Sequence, residues 1–427
     1  MVEPIKTVGV VGLGYVGVPL VNLAASKGLK VIGVDIDKNK VAGLKAGEFK
    51  GSELEINPKY LQNQVKVSND FSQLGNAEVV VICVPTPVNK SFQPNLSPVK
   101  AACKNVAKHL GKGQLVVLES TVNPGVSRSV VVPILEKLSG IKAGQDFWVG
   151  HCPERINPGD SRWHVGNIPR VVGGLDKQSL ARAIEFYSLI IDAPLKPMGG
   201  LEEAEAVKIV ENSFRDINIA FVNELAKSFT HLGIDVVQVI DGASTKPFGF
   251  MPHYPGMGVG GHCIPVDPYY LIENAKANGF HHDFLALARR INNDMPTFLF
   301  EQLEQSLNAN LMTINGTEIA VLGLAYKPGI GDIRHSPSRP LLDKLKKAGA
   351  KLRTFDPHVQ AASSADSLKT AIEGAKVLIL ATAHKEFLDL NFDKLKDKGL
   401  EVVIDGRNFF DKNQITKSGL TYVGVGR

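Results

Sequence analysis

A chain of 427 residues with 44% hydrophobic and 7% aromatic residues has the composition of a globular protein, and at roughly 100–200 residues per domain it predicts two to four domains. A core of that size needs neither disulfides nor a structural metal. The net charge of +5 comes without a basic run interleaved with aromatic residues, so we expect no nucleic-acid binding. We also expect no membrane span, because every long apolar stretch is broken by polar or charged residues.

The four cysteines, Cys83, Cys103, Cys152 and Cys263, form no CxxC pair and are too far apart in sequence for a zinc clip, so we expect no metal. Few cysteines in a long chain are typical of a reducing compartment. The first apolar strand begins almost at the N-terminus, which leaves no room for a signal peptide. The sequence therefore predicts a cytoplasmic protein.

The first predicted strand, KTVGVVGLG at residues 6–14, leads into the GxGxxG pattern of Gly12, Gly14 and Gly17, a helix, and a second strand that ends at Asp35. In this context the pattern is the dinucleotide-binding fingerprint, in which the glycines allow a tight turn, close approach of a pyrophosphate and close helix packing. A carboxylate at Asp35 would bind ribose hydroxyls and repel a 2′-phosphate, which favours NAD over NADP. The alternative is a strand–turn–helix without a ligand.

The C-terminal part of the chain repeats this pattern. EIAVLGLA at 318–325 resembles the first strand and turn, and AKVLILATAH at 375–384 resembles AEVVVICVPTP at 77–87. Short Val/Ile-rich strands alternating with helices predict parallel sheets with helices on both faces. We predict an α/β protein with two Rossmann-like doubly wound parallel-sheet domains, joined by a long central helix and a helical middle domain. The predicted domain bounds are 1–200, 201–310 and 311–427.

The central segment from Glu202 to Leu232 lacks Pro and Gly and predicts one long helix that ends at Gly233. Its centre, residues 217–222, is apolar nearly all round, which predicts burial on several sides. That burial is either the core of one domain or a subunit interface as well. We expect the interface, and therefore a homodimer or a larger homo-oligomer.

The same helix carries Lys208, Asn212 and Arg215 at the i, i+4 and i+7 positions of one polar face. A solvated stripe is one interpretation. The other is a ligand-facing stripe, because buried polar groups must find partners.

Four glycines, at 256, 258, 260 and 261, precede Cys263. Glycine loses more conformational entropy on folding than other residues, so four of them indicate that the backbone geometry requires glycine here. Asp267 lies four residues beyond Cys263 and shares a face with it if a helical turn begins there. This pattern predicts an unusual loop with the Cys263 thiol at its end, and that thiol is either catalytic or a small buried thiol. His262 is either a base or a solvated or structural histidine. The other three cysteines are predicted to be buried.

Two loops at predicted strand ends carry further polar residues, Glu119-Ser120-Thr121 and the segment 153–159 with Glu154. Strand ends of this kind are where α/β active sites lie. In the C-terminal unit Gly323-Leu324-Ala325 breaks the glycine pattern, so we expect no second NAD there. Lys327 and Arg334 on the loop that follows could instead hold a diphosphate.

Together these motifs resemble the UDP-glucose/GDP-mannose dehydrogenase family over essentially the whole chain and in the family's order. The matching segments are GLGYVG (12–17), VPTP (84–87), ESTVNPG (119–125), PERINPG (153–159), KIVENSFRDINIAFVNELA (208–226), GVGGHCIPVDPYYL (258–271), AYKPGIGDIRHSPS (325–338) and DGR (405–407). The segments ENSFRDINIAFVNELA and KPFGFMPHYPG (246–256) resemble the UDP-N-acetylhexosamine branch. Met257 departs from that branch, which usually has proline there, and we expect little consequence.

The resemblance implies roles for individual residues. Cys263 is the nucleophile, and Asp267 and Lys208 handle protons and the oxyanion. Asn212 helps to position the substrate or to stabilise the oxyanion. Glu154 is an acid/base group, and Thr121 orients a water. Implied NAD contacts are Gly12, Gly14, Tyr15, Val16, Gly17, Asp35, Lys40, Pro85, Thr86, Ser120, Thr121 and Arg334. Implied substrate contacts are Glu154, Arg155, Lys208, Asn212, Arg215, Tyr254, Gly260, Lys327 and Arg407.

The implied reaction is an NAD-dependent four-electron oxidation of the C6 alcohol of a UDP-N-acetylhexosamine to the uronate, through a Cys263 thiohemiacetal and thioester, for polysaccharide precursor synthesis. UDP-N-acetylglucosamine is favoured, and UDP-N-acetylmannosamine and UDP-glucose are the alternatives. A thiolate needs a lowered pKa, which a nearby Lys208 cation would provide. Two other classes stay open: a hydroxyacid dehydrogenase that transfers a single hydride, and a nucleotide-sensing protein without catalysis.

Overall fold

The computed structural model describes residues 4–49, 54–89, 93–156 and 162–427, so residues 157–159 of the segment PERINPG lie outside the described residues. The chain forms two compact units. The first is Met1–Glu211 with Tyr269–Phe280, and the second is Asn212–Pro268 with His281–Arg427. Among the described residues, the helices are too short or too polar to cross a bilayer.

The first unit contains a sheet of eight strands in the order β3-β2-β1-β4-β5-β6-β7-β8. Neighbouring strands are parallel except β6 and β7, which are antiparallel. The first six follow the doubly wound order that binds dinucleotides. The strands are β1 Thr7–Val11, β2 Lys30–Val34, β3 Val65–Ser68, β4 Val79–Ile82, β5 Leu115–Leu118, β6 Trp148–His151, β7 Arg170–Gly174 and β8 Leu195–Pro197.

Helices cover both faces of this sheet, because alternate residues of β4 belong to different cores. Val79 and Val81 pack in the cluster that contains Leu20 of α1, whereas Val80 and Ile82 pack in the cluster that contains Val99 of α4. This explains why β4 is apolar at every position. The helices are α1 Gly17–Ser26, α2 Lys38–Ala46, α3 Pro58–Asn63, α4 Ser97–Ala107, α5 Val132–Ser139 and α6 Lys177–Ile190.

The long helix α7 spans Leu201–Leu232, which confirms the single helix predicted there. Its 32 residues extend about 48 Å at 1.5 Å per residue. Within the single chain the centre is only partly covered, since Phe221 is 52% exposed and Phe214, just before the centre, is 51% exposed. The apolar side of the helix is therefore only partly covered by this chain. The helices α8 Val236–Ser244, α9 Asp267–Ala277 and α10 Asp283–Ala309 follow.

The second unit contains a five-stranded parallel sheet in the order β10-β9-β11-β12-β13. This is the flavodoxin-like doubly wound order, which places a crevice at the carboxyl ends of β9 and β11. Two Rossmann-like domains were predicted, and the two sheets confirm them. The elements are β9 Glu318–Leu322, α11 Ser338–Lys347, β10 Lys351–Phe355, α12 Leu368–Ile372, β11 Val377–Leu380, α13 Phe392–Asp397, β12 Val402–Asp405, α14 Lys412–Lys417 and β13 Thr421–Gly424.

Candidate active site

The turn between β1 and α1 has the geometry that a dinucleotide requires. Gly12 has φ of +96°, and a Cβ on Gly17 would lie 1.9 Å from the carbonyl oxygen of Gly12, so neither position accepts a side chain. A Cβ on Gly14 would meet nothing within 4 Å, which leaves open space over this glycine. No side chain caps the N-terminus of α1 at Val16, and its backbone N–H groups suit a pyrophosphate.

Asp35 at the end of β2 is held in place by three donors. Its Oδ2 accepts from the Leu13 backbone N–H at 2.9 Å and from Lys40 Nζ at 3.0 Å, and its Oδ1 accepts from the Asp37 N–H at 3.0 Å. A carboxylate offers about four acceptor sites, so a ribose hydroxyl can still be bound. Lys40, a predicted NAD contact, forms an ion pair with Asp35 in this structure.

The loops after β4 and β5 are linked to each other beside the glycine turn. The Ser120 hydroxyl donates to the Val84 carbonyl at 2.7 Å, and the Tyr270 hydroxyl donates to the Thr86 carbonyl at 2.6 Å. Thr121 is half-buried and Pro85 is exposed, as is Tyr15 on the glycine turn. The predicted NAD contacts of the first unit thus follow the carboxyl ends of β1, β2, β4 and β5, where doubly wound sheets bind dinucleotides.

Glu205 is a buried residue of this region that sequence analysis missed. Its carboxylate accepts from the Gly125 N–H at 2.6 Å and the Ser127 N–H at 2.7 Å, which fixes the loop that carries Thr121. Desolvation raises the pKa of Glu205 to about 7, although the hydrogen bonds from Ser127 and Gly125 oppose this. The only signal in the sequence was an acidic residue three positions before Lys208.

Glu154 follows β6 and is fixed by three donors. Its Oε1 accepts from the backbone N–H groups of Arg155 and Ile156, both at 2.6 Å, and its Oε2 accepts from Arg170 Nη2 at 2.6 Å. The guanidinium of Arg155, a predicted substrate contact, binds Glu211 and the carbonyl of Pro169.

A second buried carboxylate, Glu119, lies at the end of β5 close to this pair. It accepts from the Tyr187 hydroxyl at 2.6 Å and from the Cys83 thiol at 3.8 Å. Burial raises the pKa of Glu119 to about 7, and the nearby charge of Arg170 partly opposes the shift. Sequence analysis placed Glu119 in a site loop but missed Arg170 and Tyr187, because their contacts join residues far apart in the chain.

Burial separates Cys263 from the other three cysteines. Cys83, Cys103 and Cys152 are buried, and desolvation raises the pKa of Cys83 well above its usual value and that of Cys103 and Cys152 to about 12. Cys263 is half-buried. A thiol that reacts must reach solvent or substrate as a thiolate, so only Cys263 has the setting of a nucleophile.

The glycines before Cys263 meet a packing need. Gly258 and Gly261 have φ of +118° and +93°, and a Cβ on Gly260 would lie 2.6 Å from the Cβ of Tyr326. The Gly261 N–H donates to the Arg334 carbonyl at 3.0 Å. The loop backbone therefore packs directly against Tyr326 and the His335 carbonyl, which leaves no room for a side chain at Gly260.

Cys263 begins the turn that becomes α9. Its carbonyl accepts from the N–H groups of Val266 at 3.0 Å and Asp267 at 2.8 Å, so Asp267 lies one helical turn beyond the thiol, as expected. Asp267 is buried, and its Oδ2 accepts from the Asn212 side-chain amide at 2.5 Å. Three of the predicted catalytic residues are thus connected within the second unit.

Two further residues considered for the site differ in exposure. Lys208 is half-buried and His262 is exposed.

The second sheet repeats the arrangement of the first at its carboxyl edge. Asp356 after β10 accepts from the N–H groups of Leu324 and Ala325 at 2.6 and 2.9 Å, much as Asp35 accepts from Leu13. His384 Nε2 lies 3.0 Å from the carboxylate of Asp356. Both side chains are fully buried.

Two basic residues follow strands of this sheet, Lys327 after β9 and Arg407 after β12. Arg407 donates from Nε to the Ala381 carbonyl at 2.9 Å, and desolvation lowers its pKa to about 10, which leaves it charged at neutral pH. Arg334 binds Asp332 with its guanidinium, and Lys327 is half-buried. Arg215 and Tyr254 are exposed, and the Tyr254 hydroxyl donates to Asp241 at 2.7 Å.

Comparison with known proteins agrees with this arrangement. Residues 6–191 match the NAD binding domain of the UDP-glucose/GDP-mannose dehydrogenase family, residues 202–294 its central domain, and residues 320–412 its UDP binding domain. A nucleotide-sugar dehydrogenase is thus the class that the two sheets and the thiol loop define. The chain belongs to the UDP-glucose/GDP-mannose dehydrogenase family and is an NAD-dependent UDP-sugar 6-dehydrogenase.

Relatives with named substrates are similar along their whole length. A UDP-N-acetyl-D-mannosamine dehydrogenase of Pyrococcus horikoshii is 36% identical, covering 98% of this chain and 99% of the relative. A UDP-N-acetyl-D-glucosamine 6-dehydrogenase of Pseudomonas aeruginosa is also 36% identical, covering 92% and 94%. The solved UDP-D-ManNAc dehydrogenase of Pyrococcus horikoshii superposes with a TM-score of 0.92 at 34% identity, covering 99% of each chain.

Proposed function

We propose that this protein oxidises the C6 alcohol of a UDP-N-acetylhexosamine to the uronate and that Cys263 carries the sugar between the two oxidation steps. The observation that carries the proposal is the setting of Cys263. It is the half-buried thiol among four described cysteines, and it lies at the end of a packed glycine loop, one turn before the Asn212–Asp267 hydrogen bond.

The chain's own residues supply covalent capture and charge stabilisation. NAD, when bound at the Gly12–Gly17 turn, serves as the hydride acceptor for two two-electron oxidations. After the first, the Cys263 thiolate adds to the C6 aldehyde and forms a C–S bond, and Lys208 stabilises the resulting oxyanion. The second leaves a thioester. Water oriented by Thr121 and Glu154 then forms the C–O bond, and the C–S bond breaks to return the thiol and the carboxylic acid.

The second unit holds the nucleotide in this proposal. Lys327 and Arg407 are basic groups near the carboxyl ends of β9 and β12, where the doubly wound order places a ligand. A half-buried, charged guanidinium such as that of Arg407 suits a diphosphate.

The division of the chain into three domains at 1–200, 201–310 and 311–427 stays a prediction, and so does a cytoplasmic location.

The sugar is the open part of the proposal. The sequence favoured UDP-N-acetylglucosamine, and the relative from Pseudomonas aeruginosa with that named substrate supports it. UDP-N-acetylmannosamine is the second candidate, since the relative from Pyrococcus horikoshii is equally identical over more of the chain. The two sugars differ only in configuration at C2.

One assay tests both the reaction and the sugar. Purified protein is given UDP-N-acetylglucosamine, UDP-N-acetylmannosamine or UDP-glucose with NAD or NADP, and NADH formed per sugar consumed is counted. We expect two NADH per N-acetylhexosamine and a strong preference for NAD. Cys263→Ser should block acid formation. One NADH per substrate would support a single-hydride dehydrogenase, and wild-type turnover by Cys263→Ser would exclude the covalent route.

We also propose that the protein is at least a dimer. Phe214 and Phe221, seven residues apart on α7, are each about half exposed, which leaves an apolar stripe for another copy. Light scattering at micromolar concentration tests this. We expect twice the chain mass or more for the native protein and a smaller species for Phe221→Asp, and a native monomer would contradict the proposal.

A further inference from the structure

Four buried polar residues of the second unit form one continuous chain of hydrogen bonds that ends at the glycine loop. Asp216 and Asn223 lie on α7, and Arg289 and Asn292 lie on α10. Their exposed fractions are 1%, 0%, 3% and 1%. Burial of polar side chains is costly unless each finds a partner, so a set this large points to a specific role.

The chain runs in sequence from Arg289 to the backbone of Gly256. Arg289 Nη1 donates to Asp216 Oδ1 at 2.5 Å, and the Asn292 amide donates to the same oxygen at 2.8 Å. Asn223 Nδ2 donates to Asn292 Oδ1 at 2.8 Å. The Gly256 N–H donates to Asn223 Oδ1 at 2.9 Å.

The direction of every bond in the chain follows from the two groups at its ends, the Arg289 guanidinium and the Gly256 N–H, which can only donate. Asp216 Oδ1 accepts from Arg289, so Asn292 must turn its amide nitrogen towards this oxygen and its own oxygen towards Asn223. Asn223 must then donate with its nitrogen, which leaves its oxygen for the Gly256 N–H. Flipping either amide would bring two acceptors or two donors together in a buried place.

The loop is fixed close to the same point by two further contacts. The Met257 N–H donates to the Gly406 carbonyl at 3.0 Å. A Cβ on Gly258 would lie 2.9 Å from the carbonyl oxygen of Asn292, so the loop backbone packs directly on α10. Asn292 thus contacts the loop twice, through Asn223 and through its own backbone.

We propose that Asn223 and Asn292 are positioning residues that act through Gly256 to set where the loop presents the Cys263 thiol. This inference rests on the proposed function of Cys263 as the nucleophile. Small displacements of a reacting group cost much of the rate, about 100-fold for 1 Å. A loosened loop would therefore impair capture of the aldehyde by Cys263 more than the first oxidation, which needs no thiol.

The test compares Asn223→Ala, Asn292→Ala and the double variant with the wild type. We expect kcat for acid formation to fall about 10- to 100-fold in each single variant. NADH per sugar should fall from two towards one, and a hydrazide should trap released aldehyde. The KM for NAD should not change. The double variant should be no worse than either single variant, because the two residues act in series.

Two controls separate positioning from general loosening of the core. Leu303→Val removes one buried methylene from α10 beyond the network and should lower the melting temperature without releasing aldehyde. Gln302→Ala removes a side-chain amide of α10 that donates to Gln305 Oε1 at 3.4 Å, and should behave like the wild type. Aldehyde release by Leu303→Val to the same extent as by Asn223→Ala would overturn the proposal.

Hydrogen exchange of the Gly256–Cys263 segment gives a readout that needs no catalysis. We expect slow exchange at Gly256 in the wild type and faster exchange in both single variants. Fast exchange in the wild type, or faster exchange in the variants with unchanged kcat and NADH count, would overturn the inference. If the wild type oxidises no UDP-sugar, the proposed function has failed, and the exchange data alone decide whether the chain holds the loop.

Discussion

Asn212 donates a 2.5 Å hydrogen bond from its side-chain amide to the buried carboxylate of Asp267, one helical turn after Cys263. A buried carboxylate is costly unless donors satisfy it. The bond therefore both stabilises the Asp267 charge and fixes the direction of its carboxylate. The orientation of the carboxylate determines which neighbouring groups can exchange a proton with Asp267.

The first prediction concerns this bond. Asn212→Ala should lower kcat about 10- to 100-fold, since a hydrogen bond to a charged group contributes about 1.5–3 kcal/mol. The KM for NAD should change little. Steady-state kinetics measure both quantities, with Gln302→Ala, which removes an α10 amide that donates to Gln305, as the control. A variant with wild-type kcat would show that the carboxylate needs no help from Asn212.

The second prediction separates two glycines of one turn. Gly17→Ala places a Cβ 1.9 Å from a backbone oxygen and should destabilise the fold by about 1–3 kcal/mol or more. Gly14→Ala meets no protein atom within 4 Å and should melt like the wild type, yet its NAD affinity should fall at least 10-fold, because the methyl group occupies the space of the pyrophosphate. Thermal melts and NAD titration measure the two effects. Equal loss of stability in both variants would contradict this assignment.

The third prediction concerns thiol reactivity. Iodoacetamide at pH 7.5 should modify Cys263 first and inactivate the enzyme, because the other three thiols are buried and their pKa values are raised. Peptide mass spectrometry locates the label, and Cys263→Ser should lack the fast phase. Rapid labelling of Cys103 in the native protein would contradict the burial described above.

Much of the fold could be predicted because its signals are local. The GxGxxG turn, the apolar β4 and the uninterrupted run of α7 each follow from residues adjacent in sequence. The position of Asp267 relative to Cys263 was predictable for the same reason, since four residues make one helical turn.

The partners of the buried polar groups could not be predicted. Arg170 and Glu154 form a hydrogen bond although they are 16 residues apart in the chain. Asn223 and Asn292 do so although they are 69 residues apart. Such pairs depend on how elements pack, which hydrophobic periodicity does not encode. How much of α7 its own chain covers could not be predicted either, because a residue apolar in sequence does not reveal whether its own chain or another covers it.

The fourth prediction follows from the buried carboxylate of Glu119. Its pKa is raised to about 7 in the folded protein from an ordinary value of about 4.5, chiefly by desolvation. Between these two pH values the folded state binds more protons than the unfolded state at this group. The free energy of unfolding therefore falls as pH rises from about 4.5 to about 7, by an amount on the order of 3 kcal/mol.

Glu119→Gln should remove this pH dependence, because an amide stays neutral in both states. The side-chain oxygen of the glutamine can still accept from Tyr187, and its nitrogen can face the Cys83 sulfur. Melting temperatures measured from pH 4.5 to 8 should coincide with those of the wild type at the acidic end and exceed them by several degrees at pH 8. Glu301→Gln, an exposed change on α10, should follow the wild type throughout. A Glu119→Gln protein that melts below the wild type at pH 8 would mean that Arg170 keeps Glu119 ionised and that its charge stabilises the fold.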